Sequence, residues 1–181
     1  MRHKIHKWFW VWDFDKEEKW LNEMAAKGMS LVSVGWCTYW FEDTDAGAYQ
    51  YRLELLEKSP EHPESRKYIS FVEETGAEYL GSVINWVYFR RPTNSGEFEL
   101  HSDHATRIKH LNRILRLLLV LMLCNLYPAI YNGWLYFGVS HFTLNLVCAC
   151  ISLAVELLVA AGLLIVLRKR RKLEREGKLF E

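Results

Sequence analysis

Leu117-Leu118-Leu119-Val120-Leu121-Met122-Leu123 and Leu157-Leu158-Val159-Ala160-Ala161-Gly162-Leu163-Leu164-Ile165-Val166 decide how this chain is read. They lie in one stretch, Leu117 to Leu167, whose only ionised side chain is Glu156. A bilayer core takes roughly 20 apolar residues per helix, so the stretch holds two crossings and a turn. The spans are expected at about 114–137 and 142–167, with Asn132-Gly133 and Gly138-Val139-Ser140-His141 supplying turn chemistry between them. Tyr127, Tyr131, Trp134, Tyr136 and Phe137 form an aromatic cluster suited to the headgroup level. A buried hairpin in a soluble protein is the competing reading, but so long a stretch with one charge exceeds what a small core needs. Both runs lie far from Met1, unlike a signal peptide.

Charge divides the rest of the 181 residues. The total is balanced, 23 lysines and arginines against 22 aspartates and glutamates, and half the residues are hydrophobic. Such a balance lacks the basic excess of a nucleic-acid protein, and so apolar a chain is not disordered. Residues 1–113 carry a small acidic excess, whereas residues 168–181 form a basic tail. Arg107, Lys109, Arg113 and Arg116 precede the first span; Arg168, Lys169, Arg170 and Arg171 follow the second; the turn has neither lysine nor arginine. The positive-inside rule then puts both termini in the cytoplasm of a multi-pass cell-membrane protein. The same two clusters are candidates for contact with anionic lipid, at about 1 kcal/mol per charge near the surface. Cys37, Cys124, Cys148 and Cys150 read as small apolar fillers in a reducing compartment.

Before the spans, patterning alternates between strands and helices. Lys7–Trp12 alternates, with Trp8, Trp10 and Trp12 on one side, a strand signal. Asp15 and Glu18 have capping-box spacing; Leu21, Met24 and Ala25 follow at helical intervals, and Gly28 suits the stop. Met29–Phe41 reads as one long strand, Glu42–Gly47 as a turn and Ala48–Leu56 as its hairpin partner. Ser59-Pro60-Glu61-His62-Pro63 opens a second helix with Tyr68, Ile69 and Val72 as its stripe, closed by Gly76. Glu78–Arg91 supplies a last strand. The order βαββαβ predicts an α+β, ferredoxin-like cytosolic domain over 1–92, with both helices on one face of a four-stranded sheet. A linker and juxtamembrane helix (93–113), the transmembrane hairpin (114–167) and the tail (168–181) follow.

Candidate functional residues fall into three groups. Trp8, Trp10, Trp12, Trp36, Trp40 and Trp86 crowd the predicted strands; they are either an exposed aromatic sheet surface or a core with a few half-buried tryptophans. Glu156, with Asn125 and Asn145, is polar within the membrane. A carboxyl there costs about 2.5–3.5 kcal/mol by insertion scales, so it is either functional or an acid hydrogen-bonded to Asn125, Asn145 or Ser152 of a neighbouring helix. His3-x-x-His6 and His101-x-x-His104, the latter with Asp103 and His110, have helical metal spacing but make half a site each, so no metal is expected. No phosphate loop, nucleophile elbow or Lys/Arg-Gly-aromatic nucleic-acid motif occurs, and no cofactor is expected.

Several stretches are familiar in combination: Lys7-Trp8-Phe9-Trp10-Val11-Trp12-Asp13-Phe14-Asp15, Glu18-Lys19-Trp20-Leu21-Asn22-Glu23-Met24-Ala25, Tyr51-Arg52-Leu53-Glu54, Tyr68-Ile69-Ser70-Phe71-Val72-Glu73-Glu74-Thr75-Gly76, Trp86-Val87-Tyr88-Phe89-Arg90 and Arg107-Ile108-Lys109-His110-Leu111-Asn112-Arg113. Over about residues 5–115 they resemble the bacterial family with domain of unknown function 2812. His101 stands where such a motif has an aromatic residue. The resemblance implies a cytosolic domain ahead of membrane helices and a regulatory setting, because such genes often neighbour transcriptional regulators of the PadR type. It carries no catalytic residue. The expectation is therefore a non-enzymatic sensory, regulatory or partner-binding membrane protein. Its partners would be the bilayer, a homo- or hetero-oligomer joined through the membrane helices, and a protein or small apolar ligand on the soluble domain, with no nucleic acid. The alternative is an oligomeric transport or channel subunit using Glu156.

Overall fold

The computed structural model describes residues 1–100 and 104–177. It divides into two units, Met1–Thr106 and Arg107–Glu181. The first is a mixed α/β unit with strands β1 (Arg2–His6), β2 (Met29–Gly35), β3 (Thr38–Asp43), β4 (Tyr49–Leu55), β5 (Glu78–Val83) and β6 (Trp86–Pro92), and helices α1 (Phe14–Ala26) and α2 (Pro63–Glu74). The second holds α3 (His104–Leu135, beginning at the end of the first unit) and α4 (Thr143–Gly177).

Six strands in two antiparallel sheets replace the expected four-stranded ferredoxin-like sheet. The sheets run β1-β3-β2 and β4-β6-β5. Each half is thus strand, helix, hairpin, with the first strand beside the third. The extra strands arise because two long predicted strands are hairpins. Met29–Phe41 turns at Trp36-Cys37, where Gly35 pairs Thr38, and Glu78–Arg91 turns at Ile84-Asn85, where Val83 pairs Trp86. Neither tip contains glycine or proline; Cys37 (φ 50°) and Ile84 (φ 57°) take the left-handed conformation themselves. The expected pairing of Met29–Phe41 with Ala48–Leu56 is absent, since β3 and β4 belong to different sheets.

The predicted strand Lys7–Trp12 is displaced. The ladder covers Arg2–His6 and ends where His6 faces Thr38, the first residue of β3. Beyond it the chain has no partner strand; Trp10 is still extended, and Val11–Asp13 forms a 3-10 turn. Asp15 is not the cap residue: Asp13 occupies the cap position without a side-chain cap bond, α1 starts at Phe14, and Asp15 lies in its first turn. Other local signals hold. Gly28 (φ +81°) stops α1, and a Cβ there would meet the Thr44 carbonyl oxygen at 2.9 Å, so only glycine fits. His62 caps α2, accepting from Glu64 N–H, with Pro63 in the first turn and Gly76 (φ +89°) after the end.

Helix α1 packs between the two sheets. Its Leu21, Met24 and Ala25 meet Leu31, Tyr39 and Phe41 of the first sheet and Tyr51, Leu53 and Tyr88 of the second. The opposite face of the second sheet, through Val87 and Phe89, packs on Ile69 and Val72 of α2. Phe98, almost fully buried, joins that cluster, so the expected linker after residue 92 is instead partly core.

Helices α3 and α4 are each long and apolar enough to cross a membrane. Asn132-Gly133 lies inside α3 and does not end it; the reversal falls after Ser140, where His141 (φ 47°) is left-handed. Both helices overrun the expected spans, α3 at its start and α4 through the basic cluster to Gly177. Each buries one stripe, with Leu111, Ile114 and Leu118 on α3 and Val159, Gly162 and Val166 on α4, and most of the remaining surface is exposed and apolar.

Candidate functional site

The tryptophans do not lie together on a sheet. Trp8 and Trp10 lie on backbone beyond the β1 ladder and Trp12 on the 3-10 turn that follows, so their rings touch one another instead of covering strands. Trp8 meets Trp10 edge-on at 5.2 Å, Trp10 stacks on Trp12 at 5.2 Å and 4°, and Trp36 from the β2–β3 tip meets Trp8 at 6.5 Å. The result is a four-ring ladder. Trp36, Trp8 and Trp10 are 64%, 54% and 40% exposed, whereas Trp12 is buried. Backbone and side-chain bonds hold its two strands of chain together: Lys7 N–H donates to the Cys37 carbonyl at 3.2 Å, and the Thr38 hydroxyl donates to the Trp36 carbonyl and contacts His6 Nδ1, each at 3.0 Å. The Lys7 ammonium sits over the Trp20 ring, 4.4 Å from its centroid. Trp40 lies half-buried near the Lys4 ammonium, and Trp86 is half-buried against Phe14. The predicted six-residue surface therefore reduces to Trp8, Trp10 and Trp36, with Trp12 as its buried root.

A second constellation escaped the sequence reading. Glu17, on α1, is buried, and its Oε1 accepts from the hydroxyls of Tyr39 (2.7 Å, β3) and Tyr88 (2.6 Å, β6). Burial pushes the Glu17 carboxyl above the usual glutamate range, and the two tyrosine bonds act against that rise. Burial, then the Glu17 charge, pushes both tyrosine hydroxyls well up, so they remain O–H donors. Close by in sequence, Asn22 closes the open edge of β4: its Oδ1 accepts from Tyr51 N–H at 2.9 Å while its Nδ2 donates to the Tyr51 carbonyl at 3.2 Å, and Glu18 Oε2 accepts from Leu53 N–H at 3.2 Å. Across the molecule, the Tyr51 hydroxyl accepts from Leu31 N–H at 2.8 Å, and Arg90 donates to the Leu31 carbonyl at 3.2 Å. These groups serve the bulge of β2 at Leu31, where regular pairing lapses. One signal for Glu17 was available: it lies four and seven residues before Leu21 and Met24, on the apolar stripe of α1.

In the second unit, Asn125 Nδ2 donates to the Ser152 carbonyl at 2.7 Å and to Glu156 Oε2 at 3.2 Å. Asn145 is apart from this cluster, at the start of α4, where its backbone N–H donates to the Phe142 carbonyl. Arg107, Lys109, Arg113 and Arg116 occupy the first turns of α3; Arg168, Lys169, Arg170 and Arg171 lie near the end of α4, where Arg170 pairs with Glu174 at 2.8 Å. His3 pairs with Asp43 and His6 with Thr38, so the first histidine pair is otherwise engaged. His101 and Asp103 of the second pair lie outside the described residues. Among the described residues no cluster of histidine, cysteine and carboxylate side chains suits a metal ion.

A family model described as a protein of unknown function, DUF2812, matches residues 13–123. The chain belongs to the DUF2812 family. In this DUF2812 protein the matched region starts just after Trp12, the root of the tryptophan ladder, runs into α3, and includes Glu17, Asn22, Tyr51, Tyr88 and Arg90. No curated protein and no solved structure matches the chain.

Proposed function

We propose that this DUF2812 protein is a membrane-anchored, non-catalytic regulatory module whose soluble unit binds a partner protein through Trp8, Trp10 and Trp36. The carrying observation is that three large rings stand in water while hydrogen bonds fix the backbone beneath them. Rigid exposed aromatics lose little conformational entropy on binding, and tryptophan is the residue type that most often anchors an interface. Residues 1–12 hold Arg2, Lys4 and Lys7 and no acid, which favours a partner segment with apolar anchors and acidic flanks.

The anchor in this reading is the α3–α4 hairpin, crossing the bilayer with both termini in the cytoplasm. Its support is the exposed apolar surface of both helices, which a soluble protein would have to cover, and the flanking arginines and lysines. Glu156 serves the hairpin itself through Asn125, which leaves the transport alternative without an observation of its own.

The test is photo-crosslinking of the full-length chain in its native membrane from a probe at position 8 or 36. A discrete protein adduct, lost when the other two tryptophans are replaced by alanine, is expected. Adducts only to lipid, or the same pattern from a probe at exposed Phe71, would reject the surface.

A further inference from the structure

Among the described residues the two sheets have four edges, and the chain itself covers three of them. β2 and β5 lie against each other: Val34 Cγ1 is 3.6 Å from where a Cβ on Gly81 would stand, and Arg90 reaches the Leu31 carbonyl. The edge of β4 is closed from α1, where Asn22 binds the Tyr51 N–H and carbonyl and Glu18 accepts from the Leu53 N–H. β1, which holds the same place in the first half, has no such cover among the described residues.

The register says which groups are open. Met1 accepts from the Asp43 N–H and Lys7 donates to the Cys37 carbonyl, both in step with the β1–β3 pairing. Antiparallel strands bond through alternate residues, so the bonded set is Met1, His3, Ile5 and Lys7. The N–H and C=O groups of Arg2, Lys4 and His6 therefore point away from β3, out along the sheet edge. The same count on β4 starts from the Leu56 N–H bond to the Asn85 carbonyl and leaves Tyr51 and Leu53 pointing outward. Those are the two residues that Asn22 and Glu18 close.

An open row of main-chain donors and acceptors is a template for one more strand, and charge decides whose. Arg2 pairs with Glu42, and the Met1 ammonium and His3 pair with Asp43. Lys4 and Lys7 have no carboxylate partner among the described residues. A second copy laid antiparallel on β1 would set Arg2, Lys4 and His6 against the same three residues, so like charges repel it. An acidic segment is attracted instead, and on the matching edge of β4 a carboxylate, that of Glu18, already accepts from the main chain. Past His6 the edge leads to Trp8, whose ring meets Trp36. We propose that an extended acidic segment of the partner adds to β1 as a fourth strand, bonded to the main chain of Arg2, Lys4 and His6, with a terminal apolar residue on Trp8 and Trp36.

This rests on the partner-binding reading of the tryptophans, so the experiment separates strand from anchor. The probe is a dye-labelled peptide of alternating glutamate and valine ending in leucine, titrated by fluorescence anisotropy onto full-length chain in dodecyl maltoside micelles. Saturable binding is expected, with a lysine–valine peptide binding far more weakly. Lys4→Pro removes only an outward N–H, a place where an edge strand tolerates proline. It should keep the melting temperature and weaken the glutamate peptide about fivefold, the loss of one main-chain bond. Lys4→Glu leaves the backbone whole and should reverse the preference between the two peptides; it decides alone if the proline perturbs the fold.

No saturable binding, equal binding of the two peptides, undiminished binding by a folded Lys4→Pro, or an unchanged preference in Lys4→Glu overturns the added strand. Binding that obeys both Lys4 variants yet survives Trp8→Ala and Trp36→Ala upholds the strand and rejects the tryptophans as its anchor. Binding lost with the tryptophans but indifferent to Lys4 does the reverse.

Discussion

Tyr88 donates its hydroxyl to Glu17 Oε1 across 2.6 Å, and Tyr39 donates to the same oxygen from the other sheet at 2.7 Å. One carboxyl oxygen thus joins α1, β3 and β6 in the interior of the α/β unit.

Glu17→Leu removes the carboxyl that accepts from two buried hydroxyls and should cost about 2–4 kcal/mol. Glu17→Gln keeps an oxygen at the site and should stay within about 1 kcal/mol of wild type near neutrality. The pH dependence has a definite sign. The native carboxyl holds its proton more tightly than the unfolded chain, whose value is 4.5, so the stability due to Glu17 is full below that pH and is lost as pH rises through the native value. Thermal melts of wild type and Glu17→Gln should therefore diverge in favour of the glutamine as pH rises. A constant difference from about pH 4 to about pH 8 would contradict the assignment.

Asn22→Ala removes both bonds to the Tyr51 backbone and exposes the edge of β4. A loss of about 1–3 kcal/mol is expected, with faster amide exchange at Tyr51 and less effect at Phe89 in the centre of the sheet. Hydrogen-exchange mass spectrometry of the full chain reads both. Equal acceleration across β4 and β6 would mean that Asn22 supports the fold globally and does not act as an edge closure.

Ile84 is a β-branched residue in the left-handed region and is 71% exposed, so its side chain returns little for the strain of its backbone. Ile84→Asn should stabilise the β5–β6 hairpin by about 1 kcal/mol. A lower melting temperature would show that the isoleucine makes a contact worth more than the strain.

The ladder should separate stability from binding. Trp36→Ala leaves the melting temperature nearly unchanged, because most of the ring is in water, but removes the partner adduct. Trp12→Ala, at the buried root, should cost about 3–5 kcal/mol. Comparable destabilisation by both would mark the ladder as packing.

Much of the molecule was legible where the signal is local. The apolar stretch around Glu156 and the helix stops at Gly28 and Gly76 follow from the chemistry of a few neighbours, as does the start of α2 at His62-Pro63. The strand count was hidden because Trp36-Cys37 and Ile84-Asn85 turn without glycine or proline, so two hairpins looked like two continuous strands. Alternation at Trp8–Trp12 did not mark a strand: the ladder ends at His6, where β3 begins opposite it, and the chain passes into the 3-10 turn at Val11–Asp13. Glu17 sat visibly on an apolar stripe; its purpose required two sheets, distant in sequence, to converge on it.

The halves of the α/β unit are fastened to each other far more firmly than their covalent link implies. Helix α1 of the first half secures β4 of the second through Glu18 and Asn22, while Tyr51 and Arg90 of the second grip Leu31 of the first. Only the short segment between Asp43 and Tyr49 connects them in the chain. A protease nick near Asp45 should therefore leave two fragments that stay together, which makes this loop the natural place to split the protein for a complementation reporter.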